Sequence, residues 1–237
     1  MDSLKNIISD IRVFLYGGVQ KLPLTIAGTL LVIGLFTANY AMMFFLIGFL
    51  IVTPIVATIL DKISSFFPNA FRAKSSDICK VNVPFVTLNT PTMNQDTYVL
   101  FSTWTAMVVF FVGYLFKNAL ELYSREGVEP SFEVSSSQES DVEKKTANRK
   151  TQAVVAMVCI LLFGLIILGY RFYSGCESIL GMGLTSIVFF ALGYSWYLLL
   201  SSVGEDRLSD LFGIANRLLP PAAIENKPIA CVPPPSS

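Results

Sequence analysis

Histidine is absent from this 237-residue chain, which removes the commonest general base and the commonest metal ligand together. The four cysteines, Cys79, Cys159, Cys176 and Cys231, contain no CxxC spacing, so zinc and dithiol redox motifs are missing. GxxxxGK[ST], GxSxG and HExxH do not occur, and Gly181-Met182-Gly183 lacks the remaining glycine and the strand context of a dinucleotide loop. These absences argue against an enzyme and leave no cofactor to expect. Charge is scarce as well: 14% of residues are Asp, Glu, Lys or Arg, against about 25% in ordinary soluble domains. The two signs are equal at 17 each, so no global basic field exists to hold nucleic acid or an anionic membrane surface.

What charge there is has been swept out of four apolar runs, Leu22–Leu60, Thr97–Phe116, Gln152–Tyr170 and Ser178–Leu200. A hydrocarbon core of about 30 Å takes roughly 20 apolar residues as a helix, so three runs are span-sized and the first is nearly double. The pattern predicts an all-α integral membrane protein, a bundle of four or five transmembrane helices flanked by interfacial amphipathic helices, with the lipid bilayer as its first partner. Spans without titratable groups also lack the usual parts of proton relays, ion-coupled pumps and intramembrane enzymes.

The first run would make a helix of about 58 Å at roughly 1.5 Å per residue, too long for one upright span. Asn39 lies near its middle, tolerates left-handed backbone and carries a turn-forming amide. A hairpin of Leu22–Ala38 and Tyr40–Leu60 is therefore expected, and the rival is one long helix bent at Pro54. Counting Lys and Arg on each face favours the rival. Four crossings divide them 12 to 5, whereas five divide them 8 to 9, and positive charge normally collects on the cytoplasmic side. Both versions put the 117–151 loop and the tail on one face, taken as cytoplasmic, and Cys79 and Cys176 on the other. If that other face is oxidising, Cys79 and Cys176 are the candidates for a disulfide.

Outside the spans, residues 1–21 read as an amphipathic interfacial helix, with Leu4, Ile7, Ile8, Ile11 and Phe14 on one side, ended by Gly17-Gly18. The 61–96 loop carries Pro68, Pro84 and Pro91 and is expected to hold at most a short strand or hairpin near Val81, Val83, Phe85 and Val86. The 117–151 segment is rich in Ser and Glu and reads as disordered or loosely structured. In the 204–237 tail, Leu208, Leu211, Phe212, Ala215, Leu218 and Leu219 form an apolar stripe on an expected helix over 204–218, ended by Pro220-Pro221 and followed by a Pro-rich extension. Leu208, Leu211, Phe212 and Leu218 are the candidates for docking another protein, and folding back onto the chain's own membrane face is the alternative. Within the spans, Gly34 with Ala38 and Ala191 with Ser195 have the small-xxx-small spacing that lets helices approach closely, in this chain or in a homo-oligomer.

The tail DRLSDLFGIANRLLPPAAIENKPIACVPPP (Asp206–Pro235), arriving just after GYSWYLLL (Gly193–Leu200), resembles a pattern in multi-pass membrane proteins of nucleocytoplasmic large DNA viruses, including algal viruses. The resemblance covers the last fifty or so residues and implies a component of a virion's internal membrane, or of a host endomembrane, touching capsid or other membrane proteins. A structural or assembly role is the expectation. An oligomeric channel or small-solute permease is the second class, and a membrane-shaping protein the third.

Overall fold

The computed structural model describes residues 17–64, 73–74, 98–124, 136–204 and 206–211. It is an all-α bundle. The helices are α1 (Leu22–Thr37), α2 (Tyr40–Ile63), α3 (Thr103–Ser124), α4 (Ser136–Tyr173), α5 (Ile179–Gly204) and the single turn α6 (Asp206–Ser209), joined by a two-residue antiparallel pairing of β1 (Ala73–Lys74) with β2 (Tyr98–Val99). Among the described residues, four stretches are long and apolar enough to cross a membrane: α2, α3, the 147–173 part of α4, and α5, at 24, 22, 27 and 26 residues.

The chain reverses between α1 and α2, and the residues there explain how. Ala38 adopts the left-handed conformation, with φ 50° and ψ 36°. Its N–H donates to the Leu35 carbonyl and that of Asn39 to the Gly34 carbonyl, the paired bonds of a Schellman ending. Asn39 itself is extended and caps α2, its Oδ1 accepting from the N–H groups of Ala41 at 3.0 Å and Met42 at 3.4 Å. The left-handed position therefore falls to Ala38, and Asn39 supplies the cap. Gly34 allows the two arms to close, since a Cβ there would sit 3.0 Å from the Met42 Cβ.

Farther along α2, residues Gly48–Val52 form a π turn, and both the backbone N–H and the hydroxyl of Thr53 bond to the Gly48 carbonyl. Pro54 accounts for it: proline cannot donate, and its ring crowds the carbonyl four residues back, so the preceding turn widens. Gly48 is held against the Trp196 indole and the Phe110 ring, and the indole N–H of Trp196 donates to the Phe44 carbonyl at 3.3 Å.

Helix α3 is the axis of the bundle, and α4 and α5 pack mainly on it while only grazing each other. Gly113 and Gly193 set the α3–α5 distance reciprocally. A Cβ on Gly113 would lie 2.4 Å from the Phe190 carbonyl oxygen, and one on Gly193 would lie 2.1 Å from that of Phe110. Backbones this close gain dispersion contacts that lipid cannot replace. Around the axis, Phe45 packs its ring 4.9 Å from Tyr114, 5.5 Å from Phe49 and 5.8 Å from Phe110, and all four rings are fully buried. The outside is apolar too: Phe36 is 88% exposed, Ile187 71% and Ile166 68%. A surface of that kind is at equilibrium only in hydrocarbon, so this is an integral membrane protein.

The two ends of the bundle are defined by hydrogen bonds. At one end the Trp104 indole donates to the Gln20 carbonyl at 3.1 Å, and the Asp61 carboxylate accepts from the N–H groups of Leu100 and Phe101. At the other, Asn39 Nδ2 donates to the Leu211 carbonyl. Helix α1 thus runs the full height of the bundle, although at 16 residues it is only about 24 Å long. The helical turn at 17–20 makes up the difference. Among the described residues the chain runs between the two ends of the bundle five times, four of them in helices long enough to cross a membrane and once in the shorter α1.

Three expectations are corrected. Gly17-Gly18 do not stop a helix, because residues 17–20 are helical and the interruption comes at Lys21, just before Pro23. The expected loose segment is partly helix: α4 begins at Ser136, some distance before the apolar run. Its Glu, Lys, Gln, Ala and Arg favour helix, and growth from an existing span avoids the cost of nucleation. The expected strand or hairpin near Val81–Val86 is not one of the three, since that run lies outside the described residues; the short pairing seen joins Ala73–Lys74 to Tyr98–Val99. A continuous tail helix is replaced by α6, which ends at Ser209. Residues 1–16 lie outside the described residues.

Two substitutions test these packing arguments by thermal unfolding in detergent micelles. Ala38→Gly should stabilise by about 1 kcal/mol, the Cβ penalty of the left-handed conformation. Gly193→Ala should destabilise by about 1–3 kcal/mol, because the obstructing atom belongs to the backbone.

Candidate functional site

Charged and hydrogen-bonding side chains gather at the two ends of the bundle. At the first end, the turn between α4 and α5 brings Arg171 and Glu177 together, with Arg171 Nη2 3.6 Å from Glu177 Oε1. Both are buried, at 4% and 7% exposure. The same carboxylate oxygen accepts a hydrogen bond from the Thr105 hydroxyl. The Arg171 guanidinium lies over the Trp104 ring, 4.5 Å from its centroid, which adds cation–π attraction. Trp104 in turn holds Gln20. The group therefore ties together the start of α1, the start of α3, the end of α4 and the turn before α5.

The local sequence explains the turn. Gly175 takes φ 70°, which favours glycine, and Ser178 Oγ accepts from the Gly181 N–H at 3.0 Å to start α5. Gly181 is pressed against the Leu100 carbonyl. Between these, Cys176 is buried and disulfide-bonded.

At the second end the tail folds back. The Tyr114 hydroxyl donates to the Ser209 carbonyl at 2.9 Å, and Asn39 Nδ2 to that of Leu211 at 3.4 Å. Leu211 is fully buried and Leu208 packs beside it, in one cluster with Met42, Phe45, Tyr114, Tyr197 and Leu200. Lys117 pairs with Glu121 at 2.7 Å and lies 5.5 Å and 5.9 Å from the centroids of Tyr194 and Tyr197.

Comparison with known protein families, known proteins and solved structures finds no match to this chain.

The residues singled out in the sequence are distributed as follows. Leu211 is buried in the chain's own core and the half-buried Leu208 packs against it, which is the fold-back alternative. Phe212 and Leu218 lie outside the described residues. Cys176 is bonded, and Cys79 lies outside the described residues. Gly34 packs within the hairpin and Ala38 is its turn. Ala191 and Ser195 face outward, with the Ser195 hydroxyl bonded back to the Ala191 carbonyl at 2.7 Å; Gly193, between them, makes the close approach. Arg171, Glu177, Thr105 and Trp104 went unread as a network, and Tyr114 as the donor that holds the tail at the other end. The available signal was that Arg171 and Glu177 are the two charged residues in the short connection between the last two apolar runs.

Chemically, Glu177 is neutralised and hydrogen-bonded, so the arrangement acts as a fastening. Among the described residues, no group of three His, Cys, Asp or Glu converges on a metal-binding geometry. Removing one member of a buried pair strands the other, at about 3–5 kcal/mol. Glu177→Leu and Arg171→Met should each lower unfolding stability on that scale. The double variant should lose much less than the sum, and a double-mutant cycle in micelles measures the difference.

Proposed function

We propose that this chain is a non-enzymatic membrane scaffold, whose work is to hold polar segments at fixed positions on the two sides of a bilayer. The observation that carries the reading is the filled interior. Phe45, Phe49, Phe110, Tyr114, Trp104 and Phe189 occupy the space between helices with almost no exposure, and the charged groups at the bundle's ends are engaged with partners in the same chain. Among the described residues these side chains fill the space that a solute path through one copy would need, and the apolar runs carry no Asp, Glu, Lys or Arg to bind or relay protons.

The partner-binding elements in this reading are the N-terminal extension of α4 and the tail beyond Leu211, where Phe212 and Leu218 carry the remaining apolar docking candidates. The Pro-rich extension is a low-entropy ligand for a protein groove. The tail's resemblance to viral membrane proteins supports a virion internal membrane, with capsid or other membrane proteins as partners.

Two truncations test this. Deleting residues 212–237 should leave insertion and unfolding temperature intact while abolishing co-purification of the partners bound by the full chain. Deleting residues 205–237 also removes the Ser209 and Leu211 contacts and should lower the unfolding temperature. An unchanged set of partners after the shorter deletion would refute the docking role, and solute flux in reconstituted vesicles would move the assignment to an oligomeric pore.

A further inference from the structure

The apolar height that the bundle offers to lipid is not the same all round. Exposed apolar side chains run from Ile179 to Val203 on α5, from Tyr40 to Ile63 on α2 and from Val154 to Tyr173 on α4, lengths of about 36, 35 and 29 Å at roughly 1.5 Å per residue. On α1 they run from Leu24 to Phe36, about 18 Å by the same measure. The ends of α1 explain the difference. Lys21 is exposed immediately before it, and of residues 17–20, which extend its backbone, only Gly18 is exposed. Val19 packs inward with Trp104, Val108 and Ile167. At the other end the chain reverses at Ala38, and the polar Asn39 follows.

A helix longer than the hydrocarbon is thick adjusts by tilting, but tilt only lowers the height of a short one. Sliding is closed to α1 as well, because it is pinned at both ends. The Trp104 indole holds Gln20, Asn39 Nδ2 holds the hairpin to Leu211, and Ala27 and Leu30 are buried in the core between them. Even counted over all of its 16 residues, α1 spans about 24 Å, short of the roughly 30 Å of ordinary hydrocarbon. The bilayer therefore has to yield on this side.

We infer that the exposed face of α1 is a recognition surface for thin hydrocarbon, selecting short-chain phospholipid from a mixed bilayer, while the longer belts of α2 and α5 do not. The occupant is lipid: Leu31, Val32, Leu35 and Phe36 project from the second half of α1, and bulky side chains suit acyl chains better than the close backbone approach by which helices pair in membranes. The result is a sorting preference for thin, sterol-poor membranes, with hydrocarbon of about 27 Å, over sterol-rich ones of about 32–33 Å. It is independent of the docking role of the tail.

Full-length protein carrying a benzophenone amino acid in place of Val32, on α1, or of Ile187, on α5, is reconstituted in equal parts of dimyristoleoyl- and dieicosenoyl-phosphatidylcholine and irradiated, and the adducts are identified by mass spectrometry. The ratio of short-chain to long-chain adducts should be about twofold higher at position 32 than at 187. Lys21→Leu, which lengthens the exposed apolar belt, should remove the difference, and Thr29→Leu, which adds apolar surface without length, should keep it. Equal ratios at the two positions would overturn the inference, as would a difference that Lys21→Leu leaves intact. So would adducts at position 32 that are mainly to a second copy of the chain. Should Lys21→Leu fail to fold, the two ratios in the parent decide alone.

Discussion

Hydrocarbon offers no hydrogen-bond partner, so every polar group that this chain carries into the bilayer has to be met from within the chain. That constraint organises the molecule more than any single apolar contact does, because lipid tails are as apolar as the helices and supply no hydrophobic drive for one helix to choose another. Thr53 returns its hydroxyl to Gly48, Ser195 to Ala191 and Thr37 to Ile33. Trp196 and Tyr114 reach across to carbonyls on other elements. These polar atoms are matched, while the buried Thr185 hydroxyl has no hydrogen-bond partner among the described residues; close approach also selects partners, and the paired glycines at 113 and 193 supply it.

The two ends of the bundle meet the same constraint by different means. The turn end uses charge, a buried guanidinium and carboxylate over an aromatic ring. The tail end uses neutral donors, an amide and a phenol, to catch the backbone of a segment that follows the last span. The first arrangement is strong while dry and weak when wet; the second is modest and insensitive to salt. A bundle built in this way differs in character between its two ends.

The helical membrane class was plain in the sequence because four long runs without charge admit little else. The hairpin was legible too, since one run was too long to cross once and Asn39 marked its middle. What stayed hidden depended on contacts between distant positions. Nothing local says that Ala38 will bear the left-handed turn, that Asp61 will cap residues 100 and 101, or that Gly193, and not the flanking Ala191 and Ser195, will face a neighbour. The tail was ambiguous for a related reason: an apolar stripe reads the same whether it covers a partner or its own bundle, and only Tyr114 and Asn39 separate the two. Composition misled over the start of α4, where a polar segment takes its helicity from the span that follows it.

Asn39 has a double attachment whose meaning lies in the order of synthesis. Its oxygen starts α2, while its nitrogen holds a carbonyl at residue 211, which leaves the ribosome only after every span has emerged. The hairpin made first is thus tied to a segment made after the last span. A nascent chain stalled before residue 211 therefore lacks the bond that ties this rim of the bundle to the segment after the last span.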